Sequence, residues 1–260
     1  YSFTIINKKI HLQSFSNNTS TDKKIVAFID FFNDANTIVN APMKYNKSAN
    51  ITYQLLRLPV SKTHKNLIII PDGLLNFLPF EALITKPSAT TNFAKMNYLL
   101  HDYNIGYENS AQFYLAERQN QNNSKQTVLG IFPVFEKTAY ELTFSKDEMQ
   151  SIRKKIKGNY LENANATFDN FKKNAYHYSI LHLSTHAFSG DIYTPASIKF
   201  YDQEILYSEL YYLNINPHLV VLSACETGIG KLYKSEGAMS IARGFQFAGA
   251  QNLLFSLWKV

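Results

Sequence analysis

Two short segments of this 260-residue chain end in residues that can do nucleophilic chemistry: Leu181-His182-Leu183-Ser184-Thr185-His186-Ala187 and Val220-Val221-Leu222-Ser223-Ala224-Cys225-Glu226-Thr227-Gly228. Each opens as an apolar run suited to a buried parallel strand, so the two would finish at the same edge of one sheet. A cysteine attacks as its thiolate, and an imidazole within hydrogen-bond reach both favours that form and takes the proton. His186 is therefore the candidate base and Cys225 the candidate nucleophile. His182 lies inside its strand and is expected to face the core or a covering helix. Acyl chemistry also needs donors for the developing oxyanion, and the backbone amides of Ala187 and Cys225 are the candidates.

Cys225 is the only cysteine, which excludes an internal disulfide and a thiolate-rich zinc site. A lone Cys is commonly a small buried hydrophobe. This one stands just past its apolar run and before Glu226-Thr227-Gly228, a polar turn signal. The sequence has no G-x-S-x-G elbow, no phosphate-binding Gly-Lys-Ser/Thr loop and no H-E-x-x-H helix, and it implies no metal or cofactor. The net charge of +6 is carried by lysines spread among Asn, Tyr and Glu, so it reads as solubility, and no direct nucleic-acid binding is expected. Apolar runs fall short of the roughly 18 to 20 residues of a membrane span. Tyr1 opens neither a basic nor an apolar leader segment, and a cytoplasmic location with no membrane association is expected. The start at Tyr1 and the stop two residues after Trp258 suggest a piece of a longer polypeptide.

The elements that must position these residues follow from periodicity. Residues 1–15 alternate loosely as a short strand, and Asp22 is placed to cap a helix with Ile25, Phe28, Ile29 and Phe32 on one face. A second helix is expected over 51–58, a strand over 66–70 closed by Pro71-Asp72-Gly73, and a further strand over 98–107. Asp72 reads as turn chemistry and not as a catalytic acid. Ser110 should cap a helix reaching about Gln119, and the polar run 119–124 reads as a linker. Beyond it, strands over 128–132, 180–184, 220–223 and 253–258 alternate with helices over 145–157, 167–175, 207–213 and 236–248. Such alternation predicts an α/β fold with a mostly parallel sheet covered on both faces. Ligands of such sheets sit outside the carboxyl ends of the strands, where His186 and Cys225 fall.

Four stretches, taken in order, resemble the CHAT domain, a caspase-like module of the clan that holds caspases, separase and gingipains. They are Leu67 through Pro71-Asp72-Gly73 to Leu83, then Leu181 to Ala187, then Val220 to Gly228, and finally Glu236-Gly237-Ala238 to Ser256-Leu257-Trp258. Together they span roughly residues 51–260. The resemblance implies a caspase-like fold with a degenerate first lobe over 51–120 and an active second lobe over 121–260, preceded by an N-terminal extension over 1–50. It implies a Cys-His dyad at Cys225 and His186, and a cysteine endopeptidase acting on a protein substrate under an upstream sensor segment or an activating partner. Trp258 and Lys259 would line the substrate pocket. Ala187 stands where the wider clan often has Gly.

Two other functions fit the same residues. The fold can persist as a catalytically inert signalling or scaffold module, since fold alone does not establish activity. Alternatively, the protease is latent, with loops 188–204 and 226–236 ordered only by a partner.

Overall fold

The computed structural model describes residues 1–14, 19–58, 63–117, 127–188, 195–224, 231–233, 237–239 and 241–256. It divides into two compact units, Tyr1–Tyr114 and Leu115–Val260.

The first unit opens with a hairpin of β1 (Ser2–Ile6) and β2 (Lys9–Gln13). The expected single strand is two, because Asn7 and Lys8 take φ of 51° and 64° and fold the chain back in a tight turn. Helix α1 (Thr19–Ile29) begins ahead of Asp22, which lies in its first turn and does not cap it. After α2 (Ala35–Asn40), helix α3 (Pro42–Leu56) starts well before the expected residue 51. Pro42 occupies the first turn, where its missing N–H costs nothing. Parallel strands β3 (Asn66–Ile69) and β6 (Asn104–Tyr107) pair, and β4 (Ile84–Lys86) pairs with β5 (Asn97–Tyr98). The expected strand over 98–107 is thus two strands interrupted by a 3₁₀ turn at Leu99–His101. Helix α4 (Ala111–Glu117) follows, with Ser110 Oγ accepting from Phe113 N at 3.1 Å as a cap. Phe28, Ala49, Leu83 and Ile84 are fully enclosed in this unit's core.

The second unit is built on a five-stranded sheet of β7 (Val128–Phe132), β8 (Gly158–Glu162), β9 (Ile180–Ser184), β13 (Leu219–Ser223) and β16 (Leu253–Phe255). Three short strands lie between β9 and β13 in the chain, β10 (Ala187–Phe188), β11 (Ser197–Lys199) and β12 (Glu204–Leu206), and form their own antiparallel sheet. The large sheet runs β16-β13-β9-β7-β8 in space, and every pairing is parallel. Counted along the chain this is the order 2-1-3-4-5, whose switch point lies between β7 and β9.

One face of β7, β9 and β13 carries Leu129, Ile131, Leu181, Leu183, Val220 and Leu222. These join Phe168 and Phe171 of α6 (Phe168–Asn174) and Phe245 of α7 (Ile241–Phe247) in the main core. On the opposite face Val128 and Phe132 pack with Met149 of α5 (Ser145–Arg153). Apolar faces on both sides force a helix onto each, which is the layered arrangement the strand–helix alternation predicts.

Three expectations need correction here. Residues 207–212 form a 3₁₀ helix and not an α-helix. Residues Gly237–Met239 are strand β15, paired with β14 (Lys231–Tyr233), and the helix placed at 236–248 begins at Ile241. Residues 197–199, within a segment expected to be a mobile loop, are β11.

Candidate functional site

The candidate site lies where β9 and β13 end side by side. Their register runs in step from Leu219 opposite Ile180 to Ser223 opposite Ser184. One further bond, Thr185 N to Ser223 O at 3.2 Å, extends the ladder past the last strand residue. Thr185 is buried, and its hydroxyl donates to the carbonyl of Lys199 in β11. Lys199 N in turn donates to His186 O at 2.9 Å, so the backbone on both sides of His186 is tied down. On β13 the chain continues to Ala224, whose carbonyl accepts from Ser256 Oγ at 2.8 Å. Cys225, Trp258 and Lys259 lie outside the described residues.

His186 is half-buried, and its Nε2 is 2.7 Å from the backbone carbonyl of Tyr140. A carbonyl only accepts, so Nε2 carries the hydrogen, and the neutral ring presents Nδ1 as a proton acceptor. The ring rests on Phe135, centroids 5.6 Å apart, and meets Tyr140 edge to face at 6.0 Å. Phe135 also stacks on Tyr201 at 6.3 Å, and Lys199 Nζ lies 4.7 Å from the centre of the Tyr140 ring. The imidazole therefore stands in an aromatic cradle that fixes its plane.

That cradle comes from the loop after β7, at the topological switch point. Val134, Phe135 and Lys137 have φ of 51°, 56° and 59°, a left-handed conformation uncommon for side chains other than Gly and adverse for a β-branched one. The loop is locked by Leu142 N donating to Val134 O at 2.9 Å and Lys137 N to a Glu141 carboxylate oxygen at 2.9 Å. Sequence reasoning overlooked this segment because no Gly marks its turns. The clustered aromatics Phe135 and Tyr140 are the signal that could have exposed it.

Ala187 begins β10 in extended conformation with Ile198 as its partner. The Lys199 N to His186 O bond makes this a pair that exchanges no backbone bonds, so the Ala187 N–H points away from β11. An extended backbone accommodates the methyl group without strain.

His182 is buried beneath α5, as expected of a residue inside the strand, but it is not idle there. Its Nε2 donates to one Glu148 oxygen at 3.0 Å, and Ser184 Oγ donates to the other at 2.7 Å. Ser145 Oγ is 3.0 Å from Ser184 Oγ, and the Phe132 ring stacks on His182 at 5.5 Å and 13°. Burial alone would raise the Glu148 carboxyl. Hydrogen bonds from His182, Ser184 and Ser223, with the attraction of the imidazole, outweigh it and hold the group below its ordinary value. Nothing in the sequence singled out Glu148 among the charged residues of its helix.

Among the described residues no group of His, Cys, Asp or Glu is placed to hold a metal ion, and no helix is long and apolar enough to cross a membrane. No curated protein matches the chain. A family match covers the strand pair, the cradle and the sheet around them: residues 46–260 fit the CHAT domain, and the chain belongs to that caspase-like, protease-related family.

Proposed function

We propose that the protein is a cysteine endopeptidase in which Cys225 attacks the scissile carbonyl and His186 serves as base and then as acid to the leaving amine. The observation that carries this reading is the Nε2 bond of His186 to the Tyr140 carbonyl at 2.7 Å. It leaves Nδ1 as the ring atom able to take a proton. The strand register supports it. Ser184 and Ser223 are opposite each other, and His186 and Cys225 each follow by two residues. Cys225 Sγ would bond to the carbonyl carbon as its proton passes to His186, the protonated imidazole would release the amine, and water would then hydrolyse the acyl-enzyme. The amides of Ala187 and Cys225 would receive the oxyanion, and the outward-facing N–H of Ala187 suits that role. Trp258 and Lys259 are proposed to line the substrate pocket. Control by an upstream sensor segment or a partner, and a degenerate lobe at 51–120, belong to the same proposal.

The test is the rate of Cys225 alkylation by iodoacetamide as a function of pH, in the native protein and in His186→Ala. A thiol that reacts with an apparent pKa well below about 8.5, and loses that shift in the variant, supports the dyad. An ordinary titration in both proteins overturns it and favours the inert scaffold module.

A further inference from the structure

We propose that Glu148 is a positioning residue that ties the two strand ends of the site together. This inference rests on the reading of His186 and Cys225 as the reacting pair.

The argument begins with a mismatch. The face of the sheet under α5 is otherwise apolar, with Val128, Phe132, Met149 and Tyr160 buried there. Into it the chain places an acidic side chain together with His182, Ser184, Ser145 and Ser223. A buried charge with partners is a poor source of stability compared with apolar packing of the same volume, so its presence asks for another account.

The partners supply that account, because they come from both strands of the site. His182 and Ser184 are on β9, and Ser223 is on β13. A carboxylate has two acceptor oxygens, and here one takes His182 and the other Ser184. Ser223 stands opposite Ser184 in the parallel register, so its side chain adjoins the same face from the neighbouring strand. Ser184 precedes His186 by two residues, and Ser223 precedes Cys225 by two. One side chain on α5 is therefore bonded to β9 beside the paired serine of β13, one pleat before each proposed reacting residue. Strand side chains two apart share a face, so the grip acts on the same face of β9 that His186 continues.

Further down the ladder, β9 and β13 are also held by Leu181, Leu183, Val220 and Leu222 packed in the main core. The Thr185 N to Ser223 O bond lies immediately beyond this cluster, past the last paired residues Ser184 and Ser223. Glu148 is placed to keep that bond closed and hence to hold the spacing between the two strand ends.

The test uses the full chain and two variants, Glu148→Leu and Glu148→Gln. Gln keeps the length but has one acceptor oxygen and no charge, so it should fall between the native protein and Leu, and it serves if Leu does not fold. Two readouts are needed. The first is amide hydrogen exchange at Thr185 relative to Ile131 in β7, which corrects for any general loss of stability. Exchange at Thr185 should become about tenfold faster in Glu148→Leu while Ile131 changes less. The second is the pH profile of Cys225 alkylation, whose dependence on His186 should weaken in the same order. Unchanged relative exchange at Thr185 overturns the proposal whatever the thiol does. Faster exchange with an unaltered, His186-dependent alkylation profile also overturns it, since the strands would loosen without disturbing the pair. If native alkylation shows no dependence on His186 at all, the dyad reading fails instead, and the exchange result alone decides whether Glu148 holds the strands.

Discussion

At the scale of single residues, Glu148 makes an acid-stability prediction independent of any catalysis. Its folded-state carboxyl lies below the ordinary 4.5 because hydrogen bonds and the imidazole outweigh burial. A lowered folded value means that the stabilisation is present above the unfolded value and lost as pH falls through the folded one. Between pH 6 and pH 3 the native protein should therefore lose more thermal stability than Glu148→Gln, measured as the drop in Tm across that range. Equal losses would show that the carboxylate contributes nothing. The same scale shows what a sequence can and cannot disclose. The sequence singles out His186 because a histidine just past an apolar run has few structural duties. It does not single out the partner at Tyr140, because a backbone carbonyl leaves no side-chain signature and any residue could supply it. Glu148 was hidden for a different reason. Its helix was expected, but the sequence does not say which turn of it meets the polar side chains of β9.

At the scale of elements, legibility followed burial. Strands β7, β9 and β13 are apolar and enclosed on at least one face, and each was expected within a residue of its place. Strand β8 was missed because Gly158-Asn159-Tyr160-Leu161-Glu162 at the sheet edge has no apolar run to announce it. The start of α3 was missed because Met43 to Asn50 is rich in Lys and Asn, although Pro42 marked its first turn. The helix expected from residue 236 was overextended because a Gly-Ala-Met stretch reads equally well as helix or strand. Within β7, Gly130 illustrates how close packing restricts an element. A β-carbon there would lie 2.6 Å from the Phe132 ring and 2.7 Å from that of Tyr160. Gly130 also sits opposite His182, so its bare backbone leaves room for Phe132 to stack on that imidazole. Gly130→Ala should destabilise the protein by about 1–3 kcal/mol through overpacking, measured by urea unfolding. A change within about 0.5 kcal/mol would mean that the two rings move aside freely.

For the molecule as a whole, the two units hold separate apolar cores, one enclosing Phe28 and the other Phe171. Truncating either ring to Ala should cost about 3–5 kcal/mol in its own unit. Since each ring belongs to a different apolar cluster among the described residues, the losses in a Phe28→Ala, Phe171→Ala double variant should add to within about 0.5 kcal/mol, and a larger deviation would overturn that independence. The parallel sheet has one more consequence, which concerns time. Val128 pairs with Ile180, Ile180 with Leu219, and Val220 with Leu253, so each pairing waits for a long crossover to close. Sheets of such non-local pairing form slowly compared with helices or hairpins. The Tyr140 carbonyl, His186 and the end of β13 come from three separate stretches of sequence, so no fragment of the chain emerging from a ribosome holds all of them until the last is made. In the endopeptidase proposed above, this order withholds a complete site until β13 has been made.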